Sequence, residues 1–252
     1  YLLAGYPWFK VRARDMFISL PGLTIAIQEN DYFKLVMDTA KKAIYEFMSG
    51  RPLTGLICEI EQPDVLLWAI WALQQYAHEM GNAIAYQEYG TFLEDMLRFI
   101  ESGKHPNLEL KENGLLHIEG RDEPMTWMNS TVNGKPVVPR TGYVVEINAL
   151  WYNALKFIAE MAISNGKPEK AAELDARADI AKESFQRIFV NPNGYLFDYV
   201  EDGITDWSVR PNMIFPVAFD YSPLEPEQKK SVLDFCTREL LTPKGLRTLS
   251  PK

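Results

Sequence analysis

The stretch EINALWYNALKFIAEMAISN, Glu146 to Asn165, decides the fold class. Ile147, Leu150, Trp151, Ala154, Leu155, Ile158 and Met161 recur at the three-and-four spacing of a single helical face. Gly166 and Lys167 follow, and then Pro168, which suits a first helical turn because its missing N–H has no intrahelical partner to lose. The next helix runs from Pro168 to about Phe189, and two helices joined by so short a connection fold back on one another. The same pattern extends outward. From Asp31 to Ser49, Phe33, Val36, Met37, Ala40, Ile44, Phe47 and Met48 share a face. From Asp64 to Gly81 the stripe is Leu66, Ala69, Ile70, Leu73, Tyr76, Ala77 and Met80. A shorter helix is predicted over Thr91–Ile100, and Pro226 opens a last one that ends near Leu240. Two longer segments rich in Gly, Pro and Asn, Lys104–Tyr143 and Asn191–Pro211, are predicted to hold short hairpins such as Gly194–Asp198.

Helices joined by alternating short and long loops make an array of helical hairpins, an all-α fold. No sequence repeat supports a solenoid of identical units. A closed ring of six hairpins needs twelve helices, and roughly eight segments here have helical character. An incomplete toroid is expected, one domain over residues 1–252 cut short at both ends.

Composition bounds the chemistry. The net charge of −8 opposes an electrostatic grip on nucleic acid or on an anionic membrane and suits a neutral, hydroxyl-rich ligand. Charges interrupt the apolar runs well before bilayer length. Cys58 and Cys236 are too few for a disulfide framework. No signal peptide is visible, so a cytoplasmic location is expected, and Tyr1 in place of Met suggests that the natural N-terminus lies upstream. His78, His105 and His117 have no zinc-like spacing, and no Gly-rich phosphate loop or Gly-x-Ser-x-Gly elbow is present, so no metal or organic cofactor is expected.

The unusual polar groups gather beside tryptophans near helix starts. Gly5-Tyr-Pro-Trp-Phe9 leads to Arg14-Asp15, and Gln62-Pro-Asp64 precedes Trp68. Thr126-Trp-Met-Asn129 leads to Arg140, Glu146-Ile-Asn148 and Trp151, and Asp206-Trp207 precedes Arg210-Pro-Asn212. Sugar sites need flat apolar faces for the pyranose ring and bidentate groups for its hydroxyls. A tryptophan on a helix is more often core, and a neighbouring Arg–Asp pair is more often structural. What favours a site is the repetition at helix starts, positions that one rim of a toroid collects.

Four runs resemble signatures of the amylo-α-1,6-glucosidase domain of glycogen debranching enzymes. GYPWFKVRARDMFISLPGL is similar to its opening, and MTWMNSTVNGKPVVPRTGYVVEINALWYNAL to its centre. RPNMIFPVAF and LLTPKGLRTLSP are similar to two later signatures, in the same order. The resemblance implies an (α/α)6 toroid that hydrolyses α-1,6-linked glucose in branched glycogen- or starch-type glucans with inversion. It implies sugar-binding roles for Trp8, Arg14, Asp15, Asp64, Trp68, Trp127, Arg140, Glu146, Asn148, Trp151, Arg210, Asn212 and Arg247. The family pattern reads Trp-Met-Asp where this chain has Trp127-Met128-Asn129, and that aspartate is the expected general acid. An amide has no pKa suited to proton donation. Asp122, Glu123 and Glu146 are the candidate replacements, although Asp122 and Glu123 also read as a solvated loop and Glu146 as a helix-start carboxylate favoured by the dipole. The expected general base falls on a segment after residue 252. An inverting mechanism would set its two carboxyls roughly 6.5–9.5 Å apart. A trehalase-like or glucoamylase-like enzyme, or a glucan binder that has lost catalysis, are the alternatives.

Overall fold

The computed structural model describes residues 1–251. Eight α-helices lie among them: α1 Ala13–Leu23, α2 Asn30–Met48, α3 Val65–Met80, α4 Asn82–Glu101, α5 Val145–Ser164, α6 Pro168–Phe189, α7 Phe215–Ala218 and α8 Pro226–Leu240. Their strands are two or three residues long, so the fold is all-α. The chain forms two compact units: Tyr1–Asn107 with Glu160–Lys167, and Leu108–Ala159 with the residues from Pro168 onward.

In the first unit α3 is the centre, because from Val65 to Ala77 only Trp71 and Gln75 escape burial. A helix apolar on nearly every side must be covered on nearly every side. Met16, Phe17 and Leu20 give α1 its buried face, and α4 returns along α3 after Gly81, whose φ of 87° lets the chain reverse. The Phe33 ring of α2 stacks on Tyr76 of α3 at 4.8 Å. Polar pairs tie α2 to α4: Lys34 with Glu88 at 2.5 Å, and the Tyr45 hydroxyl donating to Asp95 at 2.9 Å.

Two helices differ from the expected ones. Helix α4 starts at Asn82, not Thr91, because only Ala85 and Tyr89 of Asn82–Tyr89 are buried and so thin a stripe carries little periodic signal. Helix α1 is not among the helices expected from the sequence; it carries Pro21 and Gly22 in its last turn, where Pro21 has no N–H to offer Phe17 O.

His105 is buried in this unit between the Phe47 and Phe99 rings, at 5.4 and 6.0 Å, and its Nδ1 accepts the Asn107 N–H at 3.2 Å. Burial pushes its pKa down to about 4. The unfolded imidazole takes up a proton first as pH falls, at its ordinary value near 6.5. Folding is therefore favoured by neutral His105 above that value, and the contribution is lost as pH falls from about 6.5 to about 4, to the extent of roughly 3 kcal/mol. His105→Leu is expected to flatten this acid limb. Urea midpoints at pH 7 and 4.5 check it: wild type should lose more stability than the variant between the two, and equal losses would contradict the assignment.

In the second unit α5 is buried almost throughout. The Asn148 amide donates to Leu116 O and Val144 O at 3.0 and 3.1 Å and accepts the Leu116 N–H at 2.7 Å. Trp151 donates its indole N–H to Gly114 O at 3.0 Å. Both side chains thus strap residues 114–116 along the first turns of α5. Strand Tyr143–Val144, just before α5, pairs antiparallel with Tyr199–Glu201, which pairs in turn with Ile204–Thr205. The expected hairpin at Gly194–Asp198 is displaced. Leu196 makes only a single bridge, to Val190, and the ladder begins at Tyr199, leaving Asp198 at its entrance. Helix α8 opens as expected at Pro226, with Glu225 and Gln228 forming a capping box around it.

Candidate functional site

Each unit holds one buried ionic cluster at a helix start. In the first, Arg14 grips Asp64 with both ends of its guanidinium, Nε to Oδ2 at 2.7 Å and Nη2 to Oδ1 at 2.8 Å. Gln62 Oε1 lies 3.4 Å from the same Nη2, and Trp68 donates its indole N–H to Asp64 Oδ2 at 3.1 Å. Burial alone would lower the Arg14 pKa, but Asp64 overrides it and holds the guanidinium more firmly protonated than usual. The carboxylate just ahead of α3 is what organises the group, since Asp64 receives both the cation and the indole.

The second cluster is built around Arg140, whose side chain is 1% exposed. One face of its guanidinium meets Glu146, the second residue of α5, at 2.5 and 2.6 Å. Its other edge meets Asp198, Nε to Oδ2 at 2.8 Å and Nη2 to Oδ1 at 3.1 Å. Thr126 Oγ1 accepts from Nη1 at 3.3 Å. The Arg140 backbone reaches this place because Gly120 has no side chain: a Cβ there would stand 2.0 Å from Arg140 O. Burial disfavours the lone cation, but the charges of Asp198 and Glu146 outweigh it and hold Arg140 protonated. Glu146 is pushed up by burial and opposed by Arg140. Arg210 adds a second cation, with Nε 3.4 Å from Asp198 Oδ2. Two arginines and two carboxylates make the cluster neutral in sum.

From there the hydrogen bonds lead outward. Asn212, fully buried on the 3-10 turn Pro211–Ile214, donates to Asp198 Oδ1 at 2.6 Å and accepts the Trp127 indole N–H at 2.9 Å. Trp127 is 38% exposed, so its N–H is anchored while part of its ring stays open. It lines a cavity of about 370 Å³ with Met128, Asn129, Ser130, Val137, Val138, Arg210, Thr248 and Leu249. No carboxylate is among these lining residues. An aromatic face, one guanidinium, one amide and two hydroxyls can bind a polyol, but none of them is a proton donor suited to glycosidic oxygen.

A family model described as amylo-alpha-1,6-glucosidase matches residues 1–252. The chain belongs to the amylo-α-1,6-glucosidase family. It is similar to the glycogen debranching enzyme of Saccharomyces cerevisiae, 22% identical over 342 residues, a match that covers 99% of this chain and 22% of the yeast protein. In structure it is similar to a bacterial glucoamylase complexed with acarbose, with a TM-score of 0.58 at 17% identity over 94% of this chain and 34% of that one. It is also similar to a GH78 family rhamnosidase of Bacillus sp. GL1, with a TM-score of 0.53 at 18% identity over 69% of this chain and 17% of that one. These structural likenesses show the fold, the all-α toroid class that the helical hairpins imply. The chain spans about a fifth of the curated relative it matches.

In this family member the residues singled out from the sequence separate by what their side chains touch. Arg14, Asp64 and Trp68 come together in the first unit; Trp127, Arg140, Glu146, Arg210 and Asn212 come together in the second, with Asn129 on the cavity beside Trp127. Asn148 and Trp151 do not reach the cavity as sugar ligands, because their polar atoms are occupied by backbone partners. Glu146 is no free acid either: each of its oxygens accepts from Arg140, and the side chain is 3% exposed. Asp122 and Glu123 are exposed in the loop ahead of Thr126, and neither lines the cavity. Trp8, Asp15 and Arg247 are exposed, with Trp8 at 82%. Asp198 and Thr126 were not foreseen. Asp198 lies between two short hairpins, with no helix start or neighbouring tryptophan to mark it, and only the ladder at Tyr199 shows where it points. Among the described residues no group of three or more His, Cys, Asp or Glu side chains could hold a metal, and no helix is long and apolar enough to cross a membrane.

Proposed function

We propose that this chain supplies the glucan-binding site of an α-1,6-glucosidase of the debranching type, acting on branched glycogen- or starch-type glucans, and that Asn129 leaves its hydrolysis slow. One observation carries the reading: the Trp127 ring is half open on a sugar-sized cavity while its N–H is tied down by Asn212. The ring face takes the apolar side of a terminal glucosyl unit, and Arg210, Asn129, Ser130 and Thr248 offer partners for its hydroxyls. Family membership supports the α-1,6 bond as the target. Inverting hydrolysis needs one carboxyl to protonate the departing oxygen and another to activate water. Asn129 occupies the first of these places in the family pattern and cannot protonate anything. The second reading, a glucan binder without catalysis, is favoured by that same amide and by the lack of a carboxylate in the lining.

Binding is the part common to both readings. Trp127→Ala is expected to weaken the affinity of the full-length protein for a branched limit dextrin by about tenfold or more, since the stacked face and its buried area go together. Isothermal titration checks it, and unchanged affinity would move the sugar site elsewhere.

A further inference from the structure

We infer that Asp198 is the positioning residue that sets the orientation of the Asn212 amide and, through it, the place of the Trp127 ring; the consequence for sugar binding rests on the function proposed above. A carboxylate can only accept hydrogen bonds, whereas an amide offers a donor end and an acceptor end that can exchange by a half turn. Asp198 Oδ1, 2.6 Å from Asn212 Nδ2, therefore holds the NH2 end inward. The carbonyl end is then forced outward, where it meets the indole N–H of Trp127 at 2.9 Å. The reversed amide would face the indole N–H with another N–H and release the ring.

Asp198 is itself fixed by charge. Arg140 holds both of its oxygens, at 2.8 and 3.1 Å, and Arg210 approaches Oδ2 to 3.4 Å. Asp198 and Asn212 are 2% and 0% exposed, so water does not compete for these bonds. The order of command runs from a buried cation to a carboxylate, to an amide, to an aromatic ring at the mouth of a cavity. Neither Asp198 nor Asn212 lines the cavity, so each acts on a bound sugar through neighbours that do: both through Trp127, Asp198 also through Arg210, and Asn212 also through Met128, whose Sδ lies 3.4 Å from its Nδ2.

Two variants and one spectroscopic signal test this. Asp198→Asn keeps the shape but presents a side chain that can also donate, removing the preference that orients Asn212. Because it also leaves two arginines short of a partner, Asn212→Ala serves as the second variant, keeping the Asp198 ion pairs while removing the acceptor of the indole. With 15N-labelled tryptophan, the Trp127 Nε1–H resonance is assigned by its absence in Trp127→Phe. It is expected to move upfield in both variants as the hydrogen bond is lost; a resonance left in place in Asn212→Ala overturns the relay as a whole, and one that moves in Asn212→Ala but stays in place in Asp198→Asn overturns the role of Asp198. Limit-dextrin affinity gives the coupling. Asn212→Ala should weaken it about tenfold in the Trp127 background and less than about twofold in Trp127→Phe, whose ring has no N–H to orient. Equal losses in both backgrounds would mean that Asn212 acts on the sugar by some other route. A moved resonance in a protein that binds no dextrin would sink the sugar reading while leaving the Asp198 relay standing.

Discussion

Asn129→Asp is expected to raise glucose release from a branched limit dextrin by about 10²–10⁴-fold over wild type, the range a positioned general acid contributes. The reason is local. Trp127 and Asn129 line one cavity, and no carboxylate shares it. Glu146, the nearest buried carboxyl to either in sequence, has both oxygens on Arg140. The departing sugar oxygen of an α-1,6 bond is a poor leaving group and must be protonated as the bond breaks. An aspartate at position 129 would be ionised while the cavity is open, and a bound glucan that covers it beside the indole would raise its pKa toward that of a working acid. The gain should depend on the leaving group. Fluoride departs from α-glucosyl fluoride without needing a proton, so wild type and variant should hydrolyse that substrate within a fewfold of one another. A fall in dextrin hydrolysis in the variant would mean that the Asn129 amide is itself the group the reaction needs, and that the proton comes from elsewhere.

Arg140→Met is expected to destabilise the protein by about 3–5 kcal/mol, the cost of leaving buried charges unpaired. Glu146 and Asp198 would face each other's charge with the Arg140 cation gone and Arg210 reaching only Asp198, and both lie in the interior. Neither could be rehydrated without opening the start of α5 and the strand after Asp198. Chemical denaturation measures the loss as a shift in midpoint. A change within about 1 kcal/mol would show that the cluster is not buried as tightly as its 1% exposure implies. In Arg140→Met with Glu146→Gln and Asp198→Asn the unpaired charge of the carboxylates is gone, and part of the stability should return even though the ring of Trp127 loses its anchor.

Much of the fold was legible because packing writes itself into period. Helices α2, α3, α5, α6 and α8 each bury a stripe or more, and their bounds fell within a residue or so of the spacing read from the sequence. Helix α4 was obscured where burial was thin, and helix α1, with Pro21 and Gly22 near its end, was not among the expected helices. The candidate site was legible as residue types near helix starts, and Arg140, Glu146, Asn212 and Trp127 do meet. Which of them touches what was not. Asn148 and Trp151 sit in the same signature as Arg140, but their side chains go to the backbone carbonyls of Leu116 and Gly114. Asp198, which joins the arginine to the asparagine, arrives from another part of the chain with no periodic pattern around it. Contacts of that kind arise from tertiary packing, and local sequence does not encode them.

Glucose release from a branched limit dextrin by full-length Asn129→Asp protein, set against linear maltooligosaccharides and trehalose, is the measurement that reaches furthest. Release from the branched substrate well above both controls is the expected result. Equal release from the linear chains, or release from trehalose instead, would contradict an α-1,6-directed site at Trp127.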